Sequence, residues 1–303
     1  MSSRPFTSTT SSTDVMVATI RIHIGAMLSI LVMWAGMAHA GDIDQKSLTK
    51  LFTGYDGCFM LYNQSTEKLV LEYNPDNRCS QRIPVNSTFK IPLAVMAFDQ
   101  GLITESTVFT WDGKVNQDFP DWNRDQTPAS WQKYSVVWVS QQLTPRIGRE
   151  MISRYLAVFS YGNQDFSGDP GKNNGLTHAW LSSSLKISAV EQLEFLKKII
   201  SYQLPVKPAA VDFTKRHLYQ GKLENGAGYY AKTGSGWQGR SDAGNNAGKL
   251  RDGWYVGFID HGPEQYVFVS NISDKRPDPA SKAFGGQISK GIALSILNGY
   301  FGK

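Results

Sequence analysis

The sequence predicts a mixed α/β (α+β) fold in which an antiparallel sheet, built from strands at both ends of the chain, is covered by helices. Three observations predict it. Runs of β-formers lie near residues 57–73 and again at residues 228–271, and the segment from about 91 to 204 between them reads as helices and loops. Strands at both ends with helices between them call for a sheet, a mostly helical subdomain inserted in it, and a cleft where the two meet as the natural site. With 303 residues, 41% of them apolar and 12% aromatic, the chain is long enough to bury a full core.

The elements follow in order. Arg21 precedes an apolar stretch from Ile24 to Ala38, and Ala38-His39-Ala40 satisfies the small-x-small rule for signal peptidase. Residues 1–40 are therefore expected to be a signal peptide, with the mature domain at 41–303. The stretch is shorter than the ~20 residues of a spanning helix, which disfavours the alternative of an anchor. Met16 and Met27 are alternative starts. Removing Arg4, Arg21 and Asp14 lowers the formal net charge from +5 to +4, which names no nucleic-acid partner. The expected location is the periplasm, with no membrane contact in the mature form, as monomer or homodimer. In an oxidising compartment Cys58 and Cys79 either form one bridge or remain two buried thiols.

Gly57–Tyr62 and Lys68–Tyr73 flank a polar turn at Asn63–Thr66 and read as a hairpin. Ser188-Ala189-Val190-Glu191 is a capping box that opens a helix with Val190, Leu193, Leu196 and Ile200 on one face, and Lys197 and Lys198 near its C-terminal end. Gly228–Lys232, Gly253–Ile259 and Gln265–Asn271 are strands, and Ala280–Leu297 reads as a final helix.

Chemistry enters with Ser87-Thr88-Phe89-Lys90, because i, i+3 spacing on a helix sets a hydroxyl and an amine on one face. Pro92 removes a backbone donor just beyond, so a tight or slightly kinked first turn is expected. Lys232-Thr233-Gly234 sits at the end of a strand, where an edge offers N–H groups and a cation. Each motif alone is weak; their order gains weight from Ser135-Val136-Val137, Tyr161-Gly162-Asn163, Trp180-Leu181 with Ser183–Ser188 following, and Trp254–Gly257. With these elements in place the chain resembles the penicillin-recognising serine enzymes, and among them the class D, oxacillin-hydrolysing β-lactamases, over essentially the whole mature chain.

The resemblance implies a β-lactam hydrolase, with β-lactam antibiotics as its small-molecule partners, that confers resistance through an acyl-enzyme on Ser87. A protonated lysine cannot serve as base, so burial beside Phe89, Val137 and Trp180 has to depress the pKa of Lys90. In the class that amine adds CO2, and the carbamate is the general base, with the Trp180 indole as its hydrogen-bond donor and Val137 in the same pocket. No separate cofactor is implied beyond CO2 or bicarbonate. Ser135 would relay protons to the lactam nitrogen. Lys232, Thr233, Gly234 and Ser235 would bind substrate, and the N–H groups of Ser87 and Ser235 would form the oxyanion hole. Tyr161 and Asn163 are expected to shape the cleft, and Trp254 to pack. Asn86 receives no role. The loop from Gly239 to Gly248 follows the strand, and Ser273, Lys275 and Arg276 are candidates for the substrate carboxylate.

Other signals lead elsewhere and are set aside. Gly234–Gly239 satisfies G-x-G-x-x-G without the helix that a dinucleotide site needs. His178, His217 and His261 have no metal-ligand spacing, so no metal is expected. No G-x-S-x-G elbow supports a Ser-His-Asp triad. A β-lactam sensor domain would share the motifs but stay acylated, and the H-E-x-x-H segment that accompanies such sensors is missing from the sequence.

Overall fold

Alternating side chains on the strands near both ends of the chain leave two apolar faces to cover, and the fold covers both. The computed structural model describes residues 43–238 and 249–302. Residues 1–40, expected to be a signal peptide, and the loop Gly239–Gly248 lie outside the described residues.

The elements are α1 (Gln45–Leu51), β1 (Tyr55–Asn63), β2 (Lys68–Tyr73), β3 (Ile83–Pro84), α2 (Lys90–Asp99), α3 (Pro128–Lys133), α4 (Val137–Ile147), α5 (Arg149–Phe159) and α6 (Gly175–His178). They continue with β4 (Lys186–Ile187), α7 (Ala189–Ile200), α8 (Pro208–His217), β5 (Tyr219–Lys222), β6 (Gly228–Trp237), β7 (Arg251–His261), β8 (Glu264–Asp274) and α9 (Gly285–Phe301). Six strands form one sheet in the order β2-β1-β8-β7-β6-β5, antiparallel throughout. β3 and β4 form a separate two-stranded pair.

Period-two alternation sorts the strand side chains into two cores. Met60, Trp254, Val256, Phe258, Val267 and Val269 face the helical part between β2 and β5, in a cluster that includes Leu93, Trp131, Trp180 and Leu196. Phe59, Leu61, Tyr255, Ile259, Phe268 and Ile272 face the other way, against Leu48 of α1 and Ile292, Ile296 and Leu297 of α9. Burial on both faces explains why β7 and β8 read as nearly unbroken apolar runs rather than as the half-solvated pattern common in antiparallel sheets.

The N-terminal hairpin and the three C-terminal strands fall where the sequence places them. The capping box at α7 is present, with Ser188 Oγ accepting from the Glu191 N–H and the Glu191 carboxylate accepting from the Ser188 N–H. Of the expected apolar face, Leu193, Leu196 and Ile200 are buried, but Val190 in the first turn is exposed. The last helix begins at Gly285, not Ala280, with the Phe284 N–H before it donating to Gln287 Oε1 at 3.0 Å, and it runs on to Phe301. Cys58 and Cys79 form a disulfide with Cα atoms 5.2 Å apart, tying β1 to the turn before β3.

Candidate active site

The nucleophile motif opens on a tight turn. Asn86–Phe89 is a 3-10 helix that passes directly into α2 at Lys90, the constricted start that Pro92 calls for. Pro92 lies in the first turn of α2, just after the change from the tight turn to the α-helix. One turn of chain brings Lys90 Nζ to 3.3 Å from Ser87 Oγ. Lys90 is completely buried, and its backbone carbonyl accepts from Gln132 Nε2 at 3.0 Å. Phe89, its chain neighbour, stacks on Trp180 with ring centroids 5.2 Å apart, and Phe166 packs on both rings.

An amine in that position is poorly solvated, so burial pushes the Lys90 pKa well below the usual lysine range, and the nearby charge of Lys232 pushes it further. Lys232, on β6, is almost as buried, and burial lowers its pKa to about 7. Lys232 Nζ donates to Ser135 Oγ at 2.9 Å and to the Thr233 carbonyl at 3.0 Å. Ser135 occupies the turn between α3 and α4 with φ +57°, a left-handed conformation that few non-glycine residues adopt. The site is thus two hydroxyl–amine pairs, Ser87 with Lys90 and Ser135 with Lys232, and both amines favour the neutral form more than a free lysine does.

β6 borders this site along its outer edge. β5 pairs with Gly228–Tyr230, so the edge from Lys232 onward has no strand beside it there. The nucleophile turn takes that place. A Cβ on Gly234 would lie 3.2 Å from the Val85 carbonyl and 3.3 Å from the Thr88 nitrogen. Ser235 pairs in register with Gly253 on β7, and its Oγ accepts from the Gly286 N–H at 2.9 Å.

Ser87, Lys90, Ser135, Lys232 and the strand through Thr233, Gly234 and Ser235 are therefore brought together. Trp180 is fully buried, and its indole N–H has no hydrogen-bond partner. Val137 is half-buried at the start of α4, whereas its neighbour Val136 is the fully buried one. Tyr161 packs in the core with its ring edge-on to Phe195 at 4.9 Å. Trp254 is buried, and its indole N–H donates to the Pro84 carbonyl at 2.9 Å, bracing the segment before the nucleophile.

Asn163 does something more local. Its side chain donates to the Ser184 carbonyl and accepts from the Lys186 N–H, closing its own loop onto β4. It lines a polar cavity of about 1340 Å³ with Ser182–Ser184, Trp237 and Asp252, apart from Ser87 and Lys90. The three candidates for the substrate carboxylate have different surroundings. Ser273 is buried and already committed, accepting from Arg78 at 2.7 Å and donating to Asp252 at 2.5 Å. Lys275 lies 3.6 Å from Asp56 beside β1, and both Lys275 and Arg276 are exposed.

Residues 57–298 match the penicillin-binding-protein transpeptidase domain family. β-Lactamase OXA-1 of Escherichia coli is 42% identical over 282 residues, spanning 92% of this chain and 98% of that one. The chain belongs to the class D serine β-lactamases. Among solved structures, the class D β-lactamase OXA-427 superposes with a TM-score of 0.69 at 33% identity, covering 80% of this chain and 96% of the other. The C-terminal domain of the BlaR penicillin receptor of Bacillus licheniformis has a TM-score of 0.70 at 29% identity over 83% and 93% of the two chains. In this class D β-lactamase, no group of His, Cys, Asp or Glu among the described residues is arranged to hold a metal ion. Nor is any helix among them long and apolar enough to cross a membrane.

Some residues that frame the site left no sequence signal. Asn86, Ser182, Gln132, and the buried pair of Thr88 Oγ1 accepting from Gln192 Nε2 at 2.8 Å all act through partners remote in the chain.

Proposed function

We propose that this class D β-lactamase hydrolyses β-lactam antibiotics through an acyl-enzyme on Ser87, with Lys90 carboxylated by CO2 as the general base for acylation and deacylation. The observation that carries the reading is the 3.3 Å approach of Ser87 Oγ to a lysine that is wholly buried and held well below its usual pKa. A neutral amine is the form that adds CO2, and the unpartnered Trp180 N–H is a donor of the kind a carbamate oxygen needs. With Val137 alongside, these residues would hold the group, which supplies an anionic oxygen base beside Ser87.

Ser87 Oγ gives up its proton toward Lys90 and attacks the lactam carbonyl; a C–O bond forms and the ring C–N bond breaks. The backbone N–H groups of Ser87 and Ser235 face the developing oxyanion, one from the first turn of a helix and one from a strand edge. Ser135 passes a proton to the departing nitrogen. Lys232 and Thr233 hold the substrate carboxylate, and the 2.9 Å bond between Lys232 and Ser135 links binding to that transfer. Tyr161 and Asn163 stiffen the walls through packing and loop closure. The mature protein acts in the periplasm and thereby confers resistance.

The decisive experiment mixes the mature protein with a chromogenic penicillin, with and without bicarbonate. Sustained turnover that rises with bicarbonate is expected. One stoichiometric burst followed by silence would refute hydrolysis and favour a sensor, the role suggested by the likeness to the BlaR domain.

A further inference from the structure

We infer that Asn86, the residue before the nucleophile, is a positioning residue that holds the Trp180 loop in register with Lys90 and so governs retention of CO2 on that lysine; the inference rests on the reading of Lys90 as a carbamate. Asn86 is 1% exposed and uses both ends of its amide. Oδ1 accepts from the Ser182 N–H at 3.0 Å and from Ser182 Oγ at 3.2 Å. Nδ2 donates to the Pro84 carbonyl at 3.2 Å, the same carbonyl that takes the Trp254 indole. Ser182 Oγ also accepts from the Trp237 N–H at 3.0 Å. The Asn86 side chain therefore joins the nucleophile turn to the Trp180 loop directly, and strands β6 and β7 bond to its two partners, Ser182 and the Pro84 carbonyl.

The close fit there is built in. A Cβ on Gly236 would stand 2.4 Å from Asn86 Oδ1 and 2.3 Å from Ser182 Oγ, so β6 reaches this node because residue 236 has no side chain. Asn86 has φ +48°, which Asn tolerates better than most residues. Ser182 has φ +53°, and bonds from Leu181 N to the His178 carbonyl and from Leu185 N to the Ala179 carbonyl make the segment 178–185 a tight unit. Within that unit Trp180 lies two residues from the anchor point. Its N–H is buried without a hydrogen-bond partner among the described residues, so the bonds of Asn86 to Ser182 hold the loop that carries that donor against the nucleophile turn.

Two substitutions isolate the role. Asn86→Gly keeps the left-handed backbone without strain and removes all three side-chain bonds. Asn86→Asp keeps both acceptor bonds to Ser182. Three quantities are measured: the 13C carbamate resonance in 13C-bicarbonate, the bicarbonate concentration at half-maximal turnover, and the acylation burst at saturating bicarbonate, which reports folding. For Asn86→Gly, half-saturation is expected to shift upward by about tenfold, as for loss of one to two neutral hydrogen bonds, with turnover recovering at saturating bicarbonate. Asn86→Asp, whose carboxyl burial keeps protonated so that it still donates to the Pro84 carbonyl, is expected to stay within about threefold of the parent. If Asn86→Gly fails to give a burst, Ser182→Ala, which deletes only a hydroxyl, takes its place and is expected to shift half-saturation upward by about threefold.

A parent enzyme without bicarbonate dependence or carbamate resonance would sink the Lys90 reading. A parent that shows both, with Asn86→Gly unchanged, would overturn the inference alone. So would a loss in Asn86→Gly that persists with the carbamate resonance at full intensity, or an equal loss in Asn86→Asp.

Discussion

Lys232 is the group whose behaviour the structure describes most quantitatively. Burial lowers its pKa to about 7, and its ammonium is assigned to the substrate carboxylate. The sign is that of a base with a depressed pKa: the useful cation is present below pH 7 and is lost as pH rises through it. About half the free enzyme carries the charge at pH 7, about a tenth at pH 8 and about a hundredth at pH 9. With bicarbonate saturating, the carbamate anion on Lys90 holds the Lys232 charge to higher pH, so kcat/KM for a penicillin is expected to fall along an alkaline limb that lies above pH 7 and steepens toward tenfold per pH unit. Lys232→Arg keeps a charge that no accessible pH removes, so its profile should be flat to pH 9, at a lower absolute rate because a guanidinium fits the Ser135 contact differently. Steady-state rates from pH 6 to 9 on both proteins provide the assay. A parent profile flat to pH 9, or the same alkaline limb in Lys232→Arg, would refute the assignment of that charge to substrate binding.

Other outcomes follow from features elsewhere in the domain. Replacing Cys58 and Cys79 by Ser opens a loop spanning 21 positions, which on the chain-entropy account costs about 3 kcal/mol and should lower Tm by about 6 °C in a calorimetric scan. Asp274→Asn leaves Arg251, 2% exposed and 2.7 Å from that carboxylate, with the more distant Asp278 as its remaining carboxylate beside the neutral acceptors Ser281 Oγ and the Ala283 carbonyl; a loss of about 3 kcal/mol in urea unfolding is expected. Lys90→Ala should abolish deacylation, leaving at most one equivalent of released chromophore in a stopped-flow trace. Trp180→Ala should turn over more slowly and depend more steeply on bicarbonate, and normal turnover in CO2-depleted buffer would contradict the assigned role of the indole.

Legibility in the sequence tracks the range of the interactions involved. The hairpin, the C-terminal strands, the Ser188–Glu191 cap and the tight start at Asn86–Phe89 each rest on neighbours a few residues away, and each was readable. Val190 has the right spacing for the buried face of α7 yet is exposed, since spacing does not say where along a helix the packing begins. β5 contains Gly221 among polar residues and becomes a strand because β6 offers it an edge. Among the functional groups, the Ser87–Lys90 pair is local and visible. Ser135 is recognisable as a motif, but its left-handed turn is not. Asn86 meets Ser182 across 96 positions, and Ser273 meets Arg78 across 195, so neither contact could be read in advance.

The position of β1 in the sheet bears on how the molecule is assembled. β1 lies between β2 and β8, so its second edge is satisfied only by Glu264–Asp274, near the end of the chain. Until that late strand arrives, an apolar segment with unpaired amides stays open to association with other chains. Closure brings together Asn63 and Tyr266, more than two hundred positions apart, a pairing that slows folding through the entropy of a very long loop. Residues 55–79, by contrast, hold both cysteines of the bridge, which can therefore close on a fragment that does not yet have a sheet. Folding of this domain should therefore be tied to completion of the chain: truncation just before Glu264 would remove one strand in sequence, but in space it would cut the sheet in two.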